Sequence, residues 1–229
     1  MTKAKAKLKV KVNPDAWNEV WMDYGSDAMR TTNLILKRTA FLERVPKDAK
    51  ILDVGCGTGV FLRELKKLGY TDLHGLEPDP QLFERDDLGG IIQEGDALTF
   101  GAKKAHQGRY DVVVITGVLH HLKDYGQVQR CLRNIHAVLK PGGTFYTLEP
   151  WKHLIRSIMQ YLVRDTFVGY IIFRKDKILL KLEERELGQW LEMEKDVTAY
   201  APTVGLHQIY GKKDLRYRYL IFQKTPKRV

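Results

Sequence analysis

Short apolar runs alternate with amphipathic segments through the middle of the chain. Residues 51–54 and 112–115 are almost wholly apolar, which is typical of strands buried on both faces of a parallel sheet. Between such runs, apolar residues recur at helical spacing, as they do at Val128, Cys131, Leu132, Ile135, Val138 and Leu139. The pattern predicts an α/β fold with a doubly wound, mostly parallel sheet.

Seven strands and their flanking helices are predicted from the same pattern. Strands are expected at residues 51–54, 71–77, 91–92, from 110 onward, at 144–148, and in a closing antiparallel pair at 203–209 and 217–223, joined across 211–214. Helices are expected at 13–24 and 30–42, from residue 60, and before the fifth and sixth strands. Residues 13–229 are therefore predicted to form one domain, with N-terminal lid helices within residues 13–45.

An additional segment, residues 151–182, separates the fifth strand from the helix that precedes the sixth. Its first part carries an apolar stripe at helical spacing with Lys, Arg and His on the other side. The segment is predicted to be a helical insertion that covers a substrate. A surface helix on an anionic membrane, a larger core and a dimer face remain alternatives.

A glycine-rich turn follows the first strand. Gly55, Gly57 and Gly59 stand at alternate positions, two residues after the acid Asp53, and a helical pattern begins at Val60. Glycines let the backbone approach a ligand closely, and a strand–turn–helix of this kind forms nucleotide sites in open α/β sheets. The spacing differs from the dinucleotide fingerprint and from the P-loop. An acid at the strand end favours a cationic ligand over a phosphate.

The ends of the next three predicted strands also carry polar residues or glycine, and two of these residues are acids. Glu77 ends the second predicted strand, where a carboxylate can accept hydrogen bonds from two ribose hydroxyls. Asp96 and Ala97 follow the third strand, and Thr116, Gly117 and Val118 follow the fourth. Five such segments in this order and spacing resemble the class I S-adenosylmethionine-dependent methyltransferases, closely over residues 50–149.

This resemblance implies a cofactor, S-adenosylmethionine, whose sulfonium and ammonium groups suit the acidic turn. The residues that it places at the cofactor are Asp53, Gly55, Cys56, Gly57, Thr58, Gly59, Glu77, Pro78, Asp96, Ala97, Thr116, Gly117 and Val118. In the family, an acid at the place of Asp96 meets the adenine amino group. No metal site is predicted.

Candidate chemistry for the acceptor lies after the fourth and fifth strands. His121 is the first choice for a base or acceptor-orienting group and His120 the second, since histidine titrates near neutral pH. The pair also occurs in relatives with different substrates, so packing or ordering of the loop is an alternative role. Tyr24, Glu149 and Trp151 are candidates for the substrate pocket, although Glu149 is equally suited to cap an inserted helix.

The residues after the fourth strand bear on the acceptor. Amino-methylating nucleic-acid enzymes usually carry Asn/Asp-Pro-Pro-Tyr/Phe there, whereas this chain has Thr116-Gly117-Val118-Leu119. The sequence resembles the branch that acts on small molecules and lipids. We therefore expect in-line methyl transfer to a small, apolar or lipid-linked acceptor. An RNA or protein methyltransferase recruited by basic tails, and a binding module without turnover, are the alternatives.

Charge and cysteine content change this picture little. The net charge is +10, but Lys3, Lys5, Lys7, Lys9, Lys11, Lys224, Lys227 and Arg228 supply eight of these charges. A basic tail at residues 1–12 can bind nucleic acid or anionic lipid, yet it is more often a solvated end, so nucleic acid is not the expected partner. Two cysteines and no apolar leader suggest a cytoplasmic protein.

Overall fold

The computed structural model describes residues 25–83, 88, 90–102, 104–151 and 188–226. The predicted tail at residues 1–12, the helix at 13–24 with Tyr24, and residues 152–182 of the insertion lie outside the described residues. Within the described ranges, no helix is both long and apolar enough to cross a lipid bilayer.

Seven strands form one sheet in the order β3-β2-β1-β4-β5-β7-β6. Their bounds are β1 Ile51–Val54, β2 Leu73–Glu77, β3 Ile92–Glu94, β4 Tyr110–Thr116, β5 Leu139–Pro150, β6 Leu206–Lys213 and β7 Tyr217–Lys224. The first five strands pair in parallel, whereas β7 is antiparallel to β5 and to β6. The predicted doubly wound sheet with a closing antiparallel pair is confirmed.

Helices cover both faces of the sheet. The helices are α1 Gly25–Arg38, α2 Phe41–Arg44, α3 Val60–Lys67, α4 Tyr125–Val138 and the helical residues 188–200, here α5. Val112 and Val114 of β4 pack into the core on the side of α1 and α3, while Val113 and Ile115 pack on the side of α4 and α5. Burial on both faces explains why β4 is continuously apolar.

The helix predicted at residues 30–42 is interrupted. α1 ends at Arg38 and α2 starts at Phe41, with Ala40 between them in the left-handed region at φ 50°. The hydroxyl of Thr39 donates to the Ile35 carbonyl at 2.6 Å, and the turn places Phe41 at 0% exposure in the core. Burial of this aromatic ring outweighs the local helical preference.

β5 and β6 differ most from their predicted bounds. β5 begins at Leu139 because that buried residue pairs with Tyr110, and the register then shifts before Val112 pairs with Thr144. The prediction that β6 ends at 209 and turns across 211–214 is wrong. β6 continues to Lys213, and the Asp214 carboxylate closes the turn by accepting from the Arg216 and Tyr217 amides at 2.8 Å each.

Candidate functional site

The carboxyl ends of β1, β2, β4 and β5 meet at one edge of the sheet because these strands are parallel. Ligands of open α/β sheets bind in the crevice outside that edge. Asp53, Glu77, Thr116 and Glu149 all stand at or next to the ends of these strands. The sequence prediction therefore brings its main candidates to one edge.

The glycine-rich turn is held against β2. The amides of Gly55 and Cys56 donate to the Leu76 carbonyl at 2.7 and 3.1 Å. Gly57 has a φ of 53°, and a Cβ atom there would meet nothing within 4 Å, so the backbone faces open space. A Cβ atom at Gly55, by contrast, would stand 2.4 Å from the Val118 side chain. Gly57 thus leaves bare backbone facing open space, and Gly55 lets the turn after β4 pack closely.

Two buried acids lie near this turn. Asp53 is 2% exposed, and burial together with the negative charge of Glu77 raises its pKa to about 8. Glu77 is 7% exposed and accepts hydrogen bonds from the amides of Gly57 at 2.8 Å and Asp79 at 3.2 Å. Burial also raises the pKa of Glu77, and the two amide donors offset part of that rise. Carboxyl groups that are costly to ionise favour a cationic partner.

The remaining cofactor candidates differ in their exposure and hydrogen bonds. Thr58 and Cys56 are half-buried in the turn, and Pro78 is exposed directly after β2. Asp96 is exposed after β3 and accepts from the Leu98 amide, while the buried Ala97 uses its carbonyl to accept from the Asn134 side chain at 3.1 Å. The structure brings Gly57 to Glu77 and Gly55 to Val118, whereas the hydrogen bond of Asp96 is made within its own turn.

The histidine pair occupies a short 3-10 turn after β4, Leu119–His121. His120 is 7% exposed, and its Nδ1 atom lies 2.8 Å from Oε2 of Glu149. His121 is half-buried, and its ring centroid is 4.1 Å from that of His120. His121 follows the carboxyl end of β4, so this candidate base stands at the same edge of the sheet as Glu77. The two histidines therefore have different surroundings.

Glu149 and Trp151 are engaged in contacts within the fold. Glu149 is 3% exposed and accepts from the amides of Val118 and Leu119 at 2.9 Å each. The Trp151 indole donates to the Asp214 carbonyl at 2.6 Å, next to the turn between β6 and β7. The sequence prediction missed the contact between Glu149 and His120. No local sequence pattern signals this contact, because it depends on the pairing of β4 with β5, which sets Thr116 opposite Leu148.

S-adenosylmethionine fits these residues. Its sulfonium and ammonium groups offer positive charge to Asp53 and Glu77, and its ribose hydroxyls are donors that a carboxylate such as Glu77 accepts. The open backbone at Gly57 lies beside Glu77, because its amide donates to that carboxylate at 2.8 Å. The edge therefore has the acids and the bare turn that such a cofactor requires.

A sequence profile described as a methyltransferase domain matches residues 27–216. Human methyltransferase-like protein 27 is 36% identical over 108 residues, which are 46% of this chain and 42% of that protein. Human EEF1A lysine methyltransferase 2 is 35% identical over 81 residues, which are 35% of this chain and 30% of that protein. The chain thus spans less than half the length of these two relatives.

Other similarities extend over more of the chain. The ubiquinone biosynthesis O-methyltransferase of Pectobacterium carotovorum subsp. carotovorum (strain PC1) is 32% identical over 182 residues, 73% of each protein. The crystal structure of PH0226 protein from Pyrococcus horikoshii OT3 superposes with a TM-score of 0.65 at 14% identity, covering 92% of this chain and 99% of that one. The structural likeness shows a shared fold.

Proposed function

Because the chain belongs to the methyltransferase-domain family, whose cofactor is S-adenosylmethionine, we propose that it methylates a small, apolar or lipid-linked acceptor. The observation that carries the cofactor part of this proposal is the buried Glu77 carboxylate bonded to the open backbone of Gly57, with the buried Asp53 near the end of the neighbouring strand. Such a pair suits a cationic ligand and would repel a phosphate.

In this proposal, the cofactor is held by the residues of the glycine turn, by Asp53 of β1 and by Glu77 at the end of β2. Pro78, Asp96 and Ala97 flank it on the β3 side, and Thr116, Gly117 and Val118 on the β4 side. The cofactor supplies an electrophilic methyl group on its sulfonium. The protein's share is to hold the acceptor in line with that methyl group and to exclude water.

A base is required only for an acceptor that must lose a proton. His121 is proposed for this role, because it is half-buried and follows β4 at the edge of the sheet where Glu77 ends β2. An imidazole with an unprotonated nitrogen can take a proton from a hydroxyl or an amine. Replacement by alanine is expected to lower kcat about a hundredfold for such an acceptor and to leave cofactor affinity unchanged.

The choice of a small acceptor has two supports. The turn after β4 reads Gly117-Val118-Leu119-His120 and has no Pro-Pro-Tyr segment of the amino-methylating nucleic-acid enzymes. The relative matched over 73% of both chains is named for ubiquinone biosynthesis, which makes a lipid-linked acceptor reasonable here too. The additional segment at residues 151–182 is proposed to cover that acceptor, and its basic residues to permit peripheral contact with a membrane.

The test is transfer of labelled methyl groups from S-adenosylmethionine into a cell extract, followed by separation of lipid, small-molecule, RNA and protein fractions. Label in the lipid or small-molecule fraction is expected, and its loss in the Glu77→Ala protein shows that it depends on this site. Label confined to RNA or protein would refute the proposed acceptor class. A protein that binds no S-adenosylmethionine would refute the proposal as a whole.

A protein or RNA acceptor is the second candidate. It is favoured by the similarity to EEF1A lysine methyltransferase 2 and by the lysines of residues 3–11. Recruitment through those lysines would weaken steeply as salt rises and would be lost on deletion of residues 1–12. A small-molecule acceptor predicts activity that neither change abolishes.

A further inference from the structure

Glu149 contacts the turn after β4 with both of its carboxylate oxygens. Oε1 accepts from the amides of Val118 and Leu119 at 2.9 Å each, and Oε2 lies 2.8 Å from His120 Nδ1. The residue belongs to β5, where it is 3% exposed. One buried side chain thus fixes both the backbone of the turn and the ring of its first histidine.

This contact selects one tautomer of His120. A carboxylate only accepts hydrogen bonds, so the proton of a neutral imidazole must reside on Nδ1, and Nε2 is left unprotonated. The ring is 7% exposed, which limits its freedom to rotate away from Glu149. The carboxylate therefore determines both the orientation of the ring and the nitrogen that can accept a proton or a hydrogen bond.

The effect reaches the second histidine through ring contact. The His121 ring lies 4.1 Å from that of His120, with 38° between their planes. Contacts therefore run from Glu149 through His120 to the His121 ring, and from Glu149 to the amide of Val118, which is one of the residues proposed to hold the cofactor.

We propose that Glu149 is a positioning residue for methyl transfer, which holds His120 in the Nδ1–H tautomer and thereby sets the placement of His121. The proposal rests on the proposed function and deepens it. It also replaces the idea that Glu149 binds the acceptor directly, since both of its carboxylate oxygens are directed to the turn.

The Glu149→Gln variant separates tautomer control from support of the backbone. The amide oxygen of glutamine can still accept from the Val118 and Leu119 amides, so the turn is kept. Its NH2 group would face His120 Nδ1 and only donate, which forces the histidine proton onto Nε2. An amide in place of a histidine-bound carboxylate is known to select the wrong tautomer in this way.

Thr147→Val serves as the matched control. Thr147 lies two residues earlier on β5, on the same face as Glu149, and is 2% exposed. Its hydroxyl has no hydrogen-bond partner in the described part of the chain, so valine removes no contact of the turn. This variant is expected to keep the wild-type tautomer and the wild-type kcat.

The experiment is 15N NMR of histidine-labelled protein, with the His120 signals assigned through a His120→Gln variant. It is combined with kcat measured as the rate of labelled-methyl transfer from saturating S-adenosylmethionine into the lipid and small-molecule fractions of a cell extract. We expect Nδ1–H in the wild type and in Thr147→Val, and Nε2–H in Glu149→Gln. In that variant kcat should fall about a hundredfold, while the Kd for S-adenosylmethionine stays within about twofold.

Two results would overturn the proposal. An Nε2–H tautomer in the wild type would show that Glu149 does not control the imidazole, and an unchanged kcat after the tautomer has switched would show that the control has no role in transfer. The NMR result needs no turnover. It therefore remains decisive for the contact even if the labelled-methyl experiment refutes the proposed acceptor, so the two failures can be told apart.

Discussion

Replacement of Asp53 by asparagine should make the protein more stable while weakening its cofactor site. Asp53 has an ordinary pKa of 3.8, which burial and the charge of Glu77 raise to about 8 in the folded chain. The folded state therefore binds a proton more tightly than the unfolded state, and stability falls as pH rises from about 4 to about 8. Asparagine has nearly the same shape and does not titrate.

The magnitude follows from the pH interval. At pH 7, the pH is about three units above the pKa of Asp53 in the unfolded chain. Keeping Asp53 protonated in the folded chain then costs the wild type about 4 kcal/mol of stability relative to the Asp53→Asn variant. At pH 5, where the difference is about one pH unit, the same cost is about 1.5 kcal/mol. The gain of Asp53→Asn should therefore increase with pH over this range, with about 4 kcal/mol as its upper limit at neutral pH.

Urea unfolding at pH 5 and pH 7 measures this difference. Asp48→Asn is the control, because Asp48 is exposed close to the start of β1 and its replacement should change stability little. Calorimetry should show that Asp53→Asn binds S-adenosylmethionine at least about tenfold more weakly, since asparagine cannot ionise to balance the positive charge of the bound cofactor. A variant no more stable than wild type at pH 7, or a gain that is the same at both pH values, would refute the reasoning.

Three further predictions concern packing and reactivity. Gly55→Ala combines a positive φ of 71° with a 2.4 Å approach to a side chain of the turn after β4, and should lower the free energy of unfolding in urea by about 2 kcal/mol or more. Burial raises the pKa of the Cys131 thiol far above its usual range, so Ellman's reagent should modify the half-buried Cys56 first. Equally rapid modification of the Cys131 thiol would contradict this prediction. Arg218→Met leaves the Glu194 carboxylate, 8% exposed, without its 2.7 Å partner and should lower the free energy of unfolding by about 3 kcal/mol, with much of it recovered by adding Glu194→Leu.

The parts of the fold that depend on local sequence were predicted well. The run Ile51–Val54 and the glycines after it define a strand and a turn within nine residues, and the structure has both. α4 was predicted because six apolar residues repeat at helical spacing, five of which are fully buried within it. In each case, short-range periodicity and backbone preference agree with the tertiary fold.

Features set by distant contacts were missed. The left-handed Ala40 depends on burial of Phe41, whose ring packs 5.0 Å from that of Tyr146, more than a hundred residues away in sequence. The contact of Glu149 with His120 spans 29 residues and depends on strand pairing. The end of β6 depends on Asp214, which closes the turn through its side chain. Sequence periodicity reports no such pairings.

Calorimetric titration with S-adenosylmethionine of the wild type, Glu77→Gln and Glu94→Gln tests the central claim most directly. Glu94 is the paired residue on the neighbouring strand and is exposed, so it is a matched control. The account predicts saturable binding that weakens at least about tenfold in Glu77→Gln and is unchanged in Glu94→Gln. Absence of binding by the wild type, or equal affinities of the wild type and Glu77→Gln, would contradict it.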